Sequence, residues 1–193
     1  MGSYLELAGV PVKFQEIGTE PIDESLPLMD KGQWIFFFGP AGCGKTHRAV
    51  QALHAHLTRT GRPRPSEWRP WHHAPRPKPG AHFIDWPLWL DWKKRFFDEE
   101  DPDAEDPNEV AVKNRNLVVL DDIGSERPTD FAIDQFNVCI SARYNELLPT
   151  IITSNLSLDD VARVYGNRIA SRIREVALVA DQSGIDWRVR RAG

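Results

Sequence analysis

The sequence predicts an α/β fold, a mainly parallel sheet flanked by helices. Three observations predict it. Trp34–Phe38 and Leu117–Leu120 are short, unbroken apolar runs without polar alternation, as expected of strands buried on both faces. Each is followed by a segment of helical periodicity. A third run, Thr150–Ser154, comes after the longest of these segments, and strands alternating with helices make a parallel sheet covered on both sides.

Residues 4–30 mix short apolar runs with Pro11, Gly18, Pro21 and Pro27, the composition of an extended lead-in with room for one short helix. Residues 1–30 are therefore read as a lead-in and 31–193 as the folded domain. After the 34–38 strand and its glycine loop, Ala49, Leu53 and Leu57 fall at four-residue spacing, predicting a helix from Lys45 to about Leu57. Residues 59–80 hold six prolines and six basic residues against one acid, Glu67, which predicts a surface loop. A strand at Ala81–Asp85 and a helix over 87–97 follow, the helix carrying Trp89, Trp92, Phe96 and Phe97. Residues 98–109, with eight carboxylates and two prolines, read as a solvated acidic linker.

Leu117–Leu120 ends abruptly in Asp121 and Asp122. Over 129–147, Phe131, Ile133, Phe136, Ile140, Tyr144 and Leu147 fall near one helical face, which Pro149 terminates. Asn155 ends the 150–154 strand, helices are predicted at 157–165 and 167–175, and Ala177–Ala180 with Ile185–Val189 reads as a closing hairpin. No internal repeat is visible.

At 193 residues the chain suits one domain with a full core. Its 24 basic and 28 acidic residues nearly balance, so attraction to nucleic acid requires a local patch. Cys43 and Cys139, far apart and each inside a predicted core element, fit a reducing, cytoplasmic setting better than a disulfide framework. No stretch approaches the roughly 18 apolar residues of a membrane span, and the N-terminus lacks the layout of a secretory signal.

The chemistry concentrates at strand ends. Gly39, Pro40, Ala41, Gly42, Cys43, Gly44, Lys45 and Thr46 match G-x-x-x-x-G-K-[ST], directly after one strand and before a helix that continues with His47. Glycines at 39, 42 and 44 let successive N–H groups face one concavity, and the helix adds its positive end, which together hold phosphate. Lys45 is expected to reach the β- and γ-phosphates of ATP, and Thr46 to offer its hydroxyl to Mg²⁺. Asp121 and Asp122 fit an acidic pair facing this loop from the neighbouring strand end, Asp121 toward the metal and Asp122 toward the attacking water. By residue type alone Asn155 reads equally as a polar group aimed at the γ-phosphate or as turn and cap chemistry, a role open also to Ser157.

Four blocks together, Gly-Pro-Ala-Gly-Cys-Gly-Lys-Thr-His, Leu-Val-Val-Leu-Asp-Asp-Ile-Gly-Ser-Glu, Leu-Pro-Thr-Ile-Ile-Thr-Ser-Asn-Leu and Gly-Asn-Arg-Ile-Ala-Ser-Arg-Ile, resemble the DnaC/IstB-type AAA+ ATPases over about residues 5–190. These are bacterial and phage helicase loaders and their transposition relatives. The resemblance implies a AAA+ P-loop core without a separate helical lid, ATP hydrolysis, and action in DNA replication with a replicative helicase and single-stranded DNA as partners. It implies further that Asn155 is the sensor asparagine, and that Arg168 and Arg172 belong to the block whose arginine reaches the ATP of an adjacent subunit after self-association. Arg172 is the choice for that finger. From the residues alone, the two arginines, four apart on one helix, read as solvated or paired with Glu175 or Asp160. Loaders of this type usually carry an additional N-terminal domain, whereas about thirty residues precede the first strand here; a truncated chain and a minimal homologue both fit. Arg188 and Arg190 match a second sensor only loosely.

In the 59–80 segment, arginines interleaved with Trp68 and Trp71 suit phosphate contact and base stacking on single-stranded nucleic acid. A proline-rich surface loop kept soluble by its charge, or one that docks on the acidic 98–109 run, fits the same composition. The histidines at 54, 56, 72, 73 and 82 have no recognisable metal-site spacing. Two other functions share these motifs, a transposition helper ATPase and a small-molecule kinase; a kinase would need an arginine-bearing lid over its acceptor.

Overall fold

Apolar runs of five to seven residues give one five-stranded, all-parallel sheet in the order β2-β3-β4-β1-β5. The computed structural model describes residues 4–19, 26, 29, 32–60, 81–98, 111–112 and 116–184. Its strands are β1 (Trp34–Phe38), β2 (Ala81–Asp85), β3 (Leu117–Ile123), β4 (Thr150–Ser154) and β5 (Ala177–Asp181). The helices are α1 (Tyr4–Leu7), α2 (Val12–Gln15), α3 (Lys45–Thr60), α4 (Trp86–Asp98), α5 (Asp130–Asn145), α6 (Leu158–Tyr165) and α7 (Asn167–Val176). No helix among the described residues is long and apolar enough to cross a membrane.

Successive side chains of each strand enter opposite layers, so β1 and β3 are apolar at most positions on both faces. Ile35, Phe37, Val119 and Ile151 pack against Ala49, Leu53 and Leu57 of α3, while Phe36, Leu120 and Ile152 share the other layer with Phe136 and Ile140 of α5 and Ile169 and Ile173 of α7. The lead-in departs from expectation. Its two short helices and the 3₁₀ turn Glu16–Thr19 bury Leu5, Ala8, Val10 and Ile17 in the α3 layer, and Phe83 N–H donates to Ala8 O at 2.6 Å. Gly9 and Pro11 there stand in the tight connection between α1 and α2 rather than in an extended strap.

Three further expectations change. α3 runs to Thr60, so Arg59 belongs to a helix and donates to Leu26 O at 2.8 Å; the rest of the basic segment and residues 99–109 of the acidic run lie outside the described residues. On α5 the buried stripe is Ala132, Phe136, Cys139, Ile140 and Arg143, whereas Leu147 is exposed past the helix end. Arg143 is wholly buried: its donors end on Ala111 O, Asn116 O, Pro149 O and the Thr150 hydroxyl, at 3.2, 3.1, 2.8 and 2.9 Å. Finally, Ala177–Asp181 pairs parallel with β1 as an edge strand, and the other half of the expected hairpin, 185–189, lies outside the described residues.

Candidate functional site

The strand order decides where the chemistry meets. β4 lies between β1 and β3, so the acidic pair is not on the strand adjoining the glycine loop; Asn155 emerges between them. Ser154 pairs with both Phe38 and Ile123, which aligns three strand ends at one carboxyl edge of the sheet, where open α/β folds collect ligands.

The loop from Gly39 to Gly44 turns through positive φ at Gly39, Gly42 and Gly44 (148°, 88° and 91°). A Cβ on Gly39 would come within 3.0 Å of Cys43 Sγ and 3.2 Å of Ser183 N, so only glycine fits beneath the loop. Cys43 is buried there, while Pro40 and Ala41 are exposed at the rim and His47 is half-buried one turn into α3. Arg48 N–H donates to Gly44 O in the first turn of α3, and the start of a helix directly after such a loop is the ordinary basis of anion binding.

Lys45 is buried, and its ammonium donates to Gly39 O, Pro40 O and Asn155 Oδ1 at 2.9, 2.9 and 2.8 Å. Asn155 Nδ2 in turn donates to Asp122 Oδ1 at 3.2 Å. The cap of α6 is Ser157, whose hydroxyl accepts from Asp160 N–H, so Asn155 is not the capping residue. Thr46 Oγ1 donates to Asp121 Oδ2 at 3.2 Å. Burial pushes the Asp121 carboxyl up to about 6; hydroxyl bonds from Thr153 and Thr46 pull it down, and the carboxylates of Asp122 and Asp85 add to the rise.

The acidic pair sits on an irregularity. Leu120 pairs with Ile152 and Ile123 with Ser154, so Asp121 and Asp122 together oppose the single residue Thr153, a β-bulge in a parallel ladder. Asp122 takes φ +65°, an uncommon conformation for a residue other than glycine but one that aspartate tolerates. Ser154, wholly buried, donates to Ile123 O at 2.7 Å and accepts from Leu156 N–H, closing the strand ends behind the bulge.

Sequence reasoning missed two participants. Thr153 bonds both members of the acidic pair. Glu126, read only as part of a motif block, accepts from Gly124 N–H at 2.8 Å and from the Tyr165 hydroxyl, tying the turn after β3 to the end of α6. Arg172, on α7, lies apart from this cluster: its guanidinium donates to Ser141 Oγ and stacks over Tyr144, 5.3 Å from the ring centre. Arg168, one turn earlier, is exposed.

The donor set fits a magnesium nucleotide. A glycine cradle at a helix start with a buried lysine suits phosphate, and a hydroxyl beside a carboxylate supplies the hard oxygen donors that Mg²⁺ prefers.

No protein-family model matches the chain, and no curated relative matches it in sequence. Solved structures do match. A DnaC helicase loader superposes with a TM-score of 0.61 at 26% identity, over 86% of this chain and 83% of its own. The chain is similar in fold to the AAA+ domains of DnaC-type helicase loaders. A putative primosome component from Streptococcus pyogenes serotype M3 (21% identity, TM-score 0.54, 89% of this chain and 78% of that one) has the same fold. So does a replication initiator, DnaA, bound to AMPPCP and single-stranded DNA (16%, 0.55, 94% and 47%). The AAA+ core accounts for the parallel sheet and for the meeting of glycine loop, acidic pair and asparagine at its carboxyl edge.

Proposed function

We propose that this chain is a Mg²⁺-dependent ATPase of DNA replication that helps load a replicative helicase onto single-stranded DNA. The observation that carries the reading is the joined set Lys45–Asn155–Asp122 beside Thr46–Asp121 at three aligned strand ends. Similarity to a helicase loader, and to an initiator bound to a nucleotide analogue and single-stranded DNA, supports the setting.

In this reading Gly39–Thr46 and the start of α3 bind the phosphates, and Lys45 exchanges its carbonyl partners for β/γ oxygens. Thr46 and Asp121 would hold the metal, which when bound would offset charge developing on the transferred phosphoryl group. Asp122 accepts the proton of the attacking water, and Asn155, bonded to both Asp122 and Lys45, orients that water relative to the γ-phosphate. Arg172 completes the site of a neighbouring subunit after self-association on nucleotide or DNA, which requires its guanidinium to leave Ser141 and Tyr144. Arg168 is the alternative in the same block. The basic segment 59–80 supplies phosphate and stacking contacts to single-stranded DNA.

ATP turnover measured with and without single-stranded DNA tests this, alongside nucleotide titration. Lys45→Ala should abolish measurable ATP binding. Arg172→Ala should bind ATP as the parent does yet hydrolyse it slower by about 10³–10⁵-fold when assembled. Mixing the two should restore part of the activity, since each supplies what the other lacks. Parental turnover by assembled Arg172→Ala returns that residue to packing on α5; a parent that phosphorylates a small acceptor instead of water replaces the ATPase reading with a kinase.

A further inference from the structure

We propose that Thr153 is a positioning residue whose single hydroxyl sets both carboxylates of the acidic pair for the magnesium nucleotide; the inference rests on the ATPase reading above. Thr153 is wholly buried and so acts only through its neighbours. It stands alone on β4 opposite the two-residue bulge, and its Oγ1 lies 2.8 Å from Asp122 N and 2.7 Å from Asp121 Oδ1.

Chemistry fixes the direction of both bonds. A backbone N–H only donates, so Thr153 accepts from Asp122 and its one proton is left for Asp121. The first bond anchors the amide of a residue held at φ +65°, and with it the direction in which the Asp122 carboxylate leaves the sheet. The second occupies Oδ1 of Asp121 and leaves Oδ2 as the oxygen beside the Thr46 hydroxyl, the side on which a metal shared by Thr46 and Asp121 would sit. A serine hydroxyl can make the same two bonds. Valine copies the shape of threonine and makes neither.

The test is affinity for a fluorescent ATP analogue, measured in EDTA and in Mg²⁺, for the parent and Thr153→Ser, Thr153→Ala and Thr153→Val. The readout is the affinity gained on adding Mg²⁺. Removing a partner that orients a metal-binding carboxylate typically costs 10–100-fold in metal affinity. Thr153→Ser should therefore keep the parent's gain within about twofold, while Thr153→Ala and Thr153→Val lose about 10–100-fold of it with EDTA affinity unchanged. Should Thr153→Val fail to fold, serine against alanine still isolates the hydroxyl, with thermal unfolding in EDTA checking both. A folded Thr153→Ala that gains as much from Mg²⁺ as the parent overturns the inference alone, and so does a loss in EDTA equal to that in Mg²⁺. A parent that gains nothing from Mg²⁺ overturns the ATPase reading and this inference with it.

Discussion

β3 and β4 carry a buried polar cluster at each end, and the two are built to opposite plans. At the amino end, Arg143 reaches from α5 and spends its donors on three carbonyls and the Thr150 hydroxyl. The cation is sealed, with no exposed surface, and burial lowers its pKa to about 10. At the carboxyl end the ladder is broken by a bulge, Asp122 is in a left-handed conformation, and the half-buried and exposed groups Asp122 and Asn155 stand at the opening. The first cluster closes backbone groups that a loop-to-strand junction would otherwise bury unpaired. The second keeps carboxylates and an ammonium near one another where a ligand can exchange with them. Buried polar groups thus close off the backbone at one end of the strands and stay open to solvent at the other, told apart by whether the bonding is closed and the backbone regular.

The largest effect expected is on hydrolysis. Asp122→Asn preserves a residue type that accepts positive φ, so thermal unfolding should be unchanged within about 0.5 kcal/mol, whereas turnover should fall about 10²–10⁴-fold with loss of the proton acceptor. Parental turnover would remove Asp122 from the water-activating role. At the other end Arg143→Met should reverse the pattern: a stability loss of about 1–3 kcal/mol for each buried carbonyl left unpaired, read by denaturant unfolding, with the nucleotide affinity of the remaining folded protein unaltered. If affinity falls in proportion to stability, the two ends are coupled and the comparison breaks.

The smallest effect sharpens it. Asp121 is raised from 3.8 to about 6, burial being the main cause, so between those pH values the folded state keeps a proton that the unfolded chain releases. Stability from this group is therefore lost as pH rises through that window, by about 3 kcal/mol in total. Asp121→Asn has no such dependence. In metal-free buffer it should gain on the parent by up to that amount between pH 4 and 7, in denaturant unfolding measured across the range. A constant difference would mean that Asp121 is ionised as readily as in the unfolded chain.

Much of this was legible because local patterns leave little choice. Trp34–Phe38 and Leu117–Leu120 can only be doubly buried strands, and the glycine loop between strand and helix has one common purpose. The lead-in helices were illegible because four-residue turns owe their stability to packing on α3 rather than to propensity. Arg143 was illegible for a related reason: an arginine in a helical pattern reads as solvated until the carbonyls that surround it are known.

By itself the sequence determined the alternation of strands and helices, the glycine loop, and the presence of two carboxylates and an asparagine at strand ends, since each follows from residues close together in the chain. Only the tertiary structure decided that β4 separates β1 from β3, that Asn155 joins Lys45 to Asp122 while Ser157 caps the helix, and that Thr153 faces a bulge. Lys45 and Asn155 are 110 residues apart. Strand order and register bring such groups within bonding distance, and those come from how whole layers pack, which no local pattern encodes.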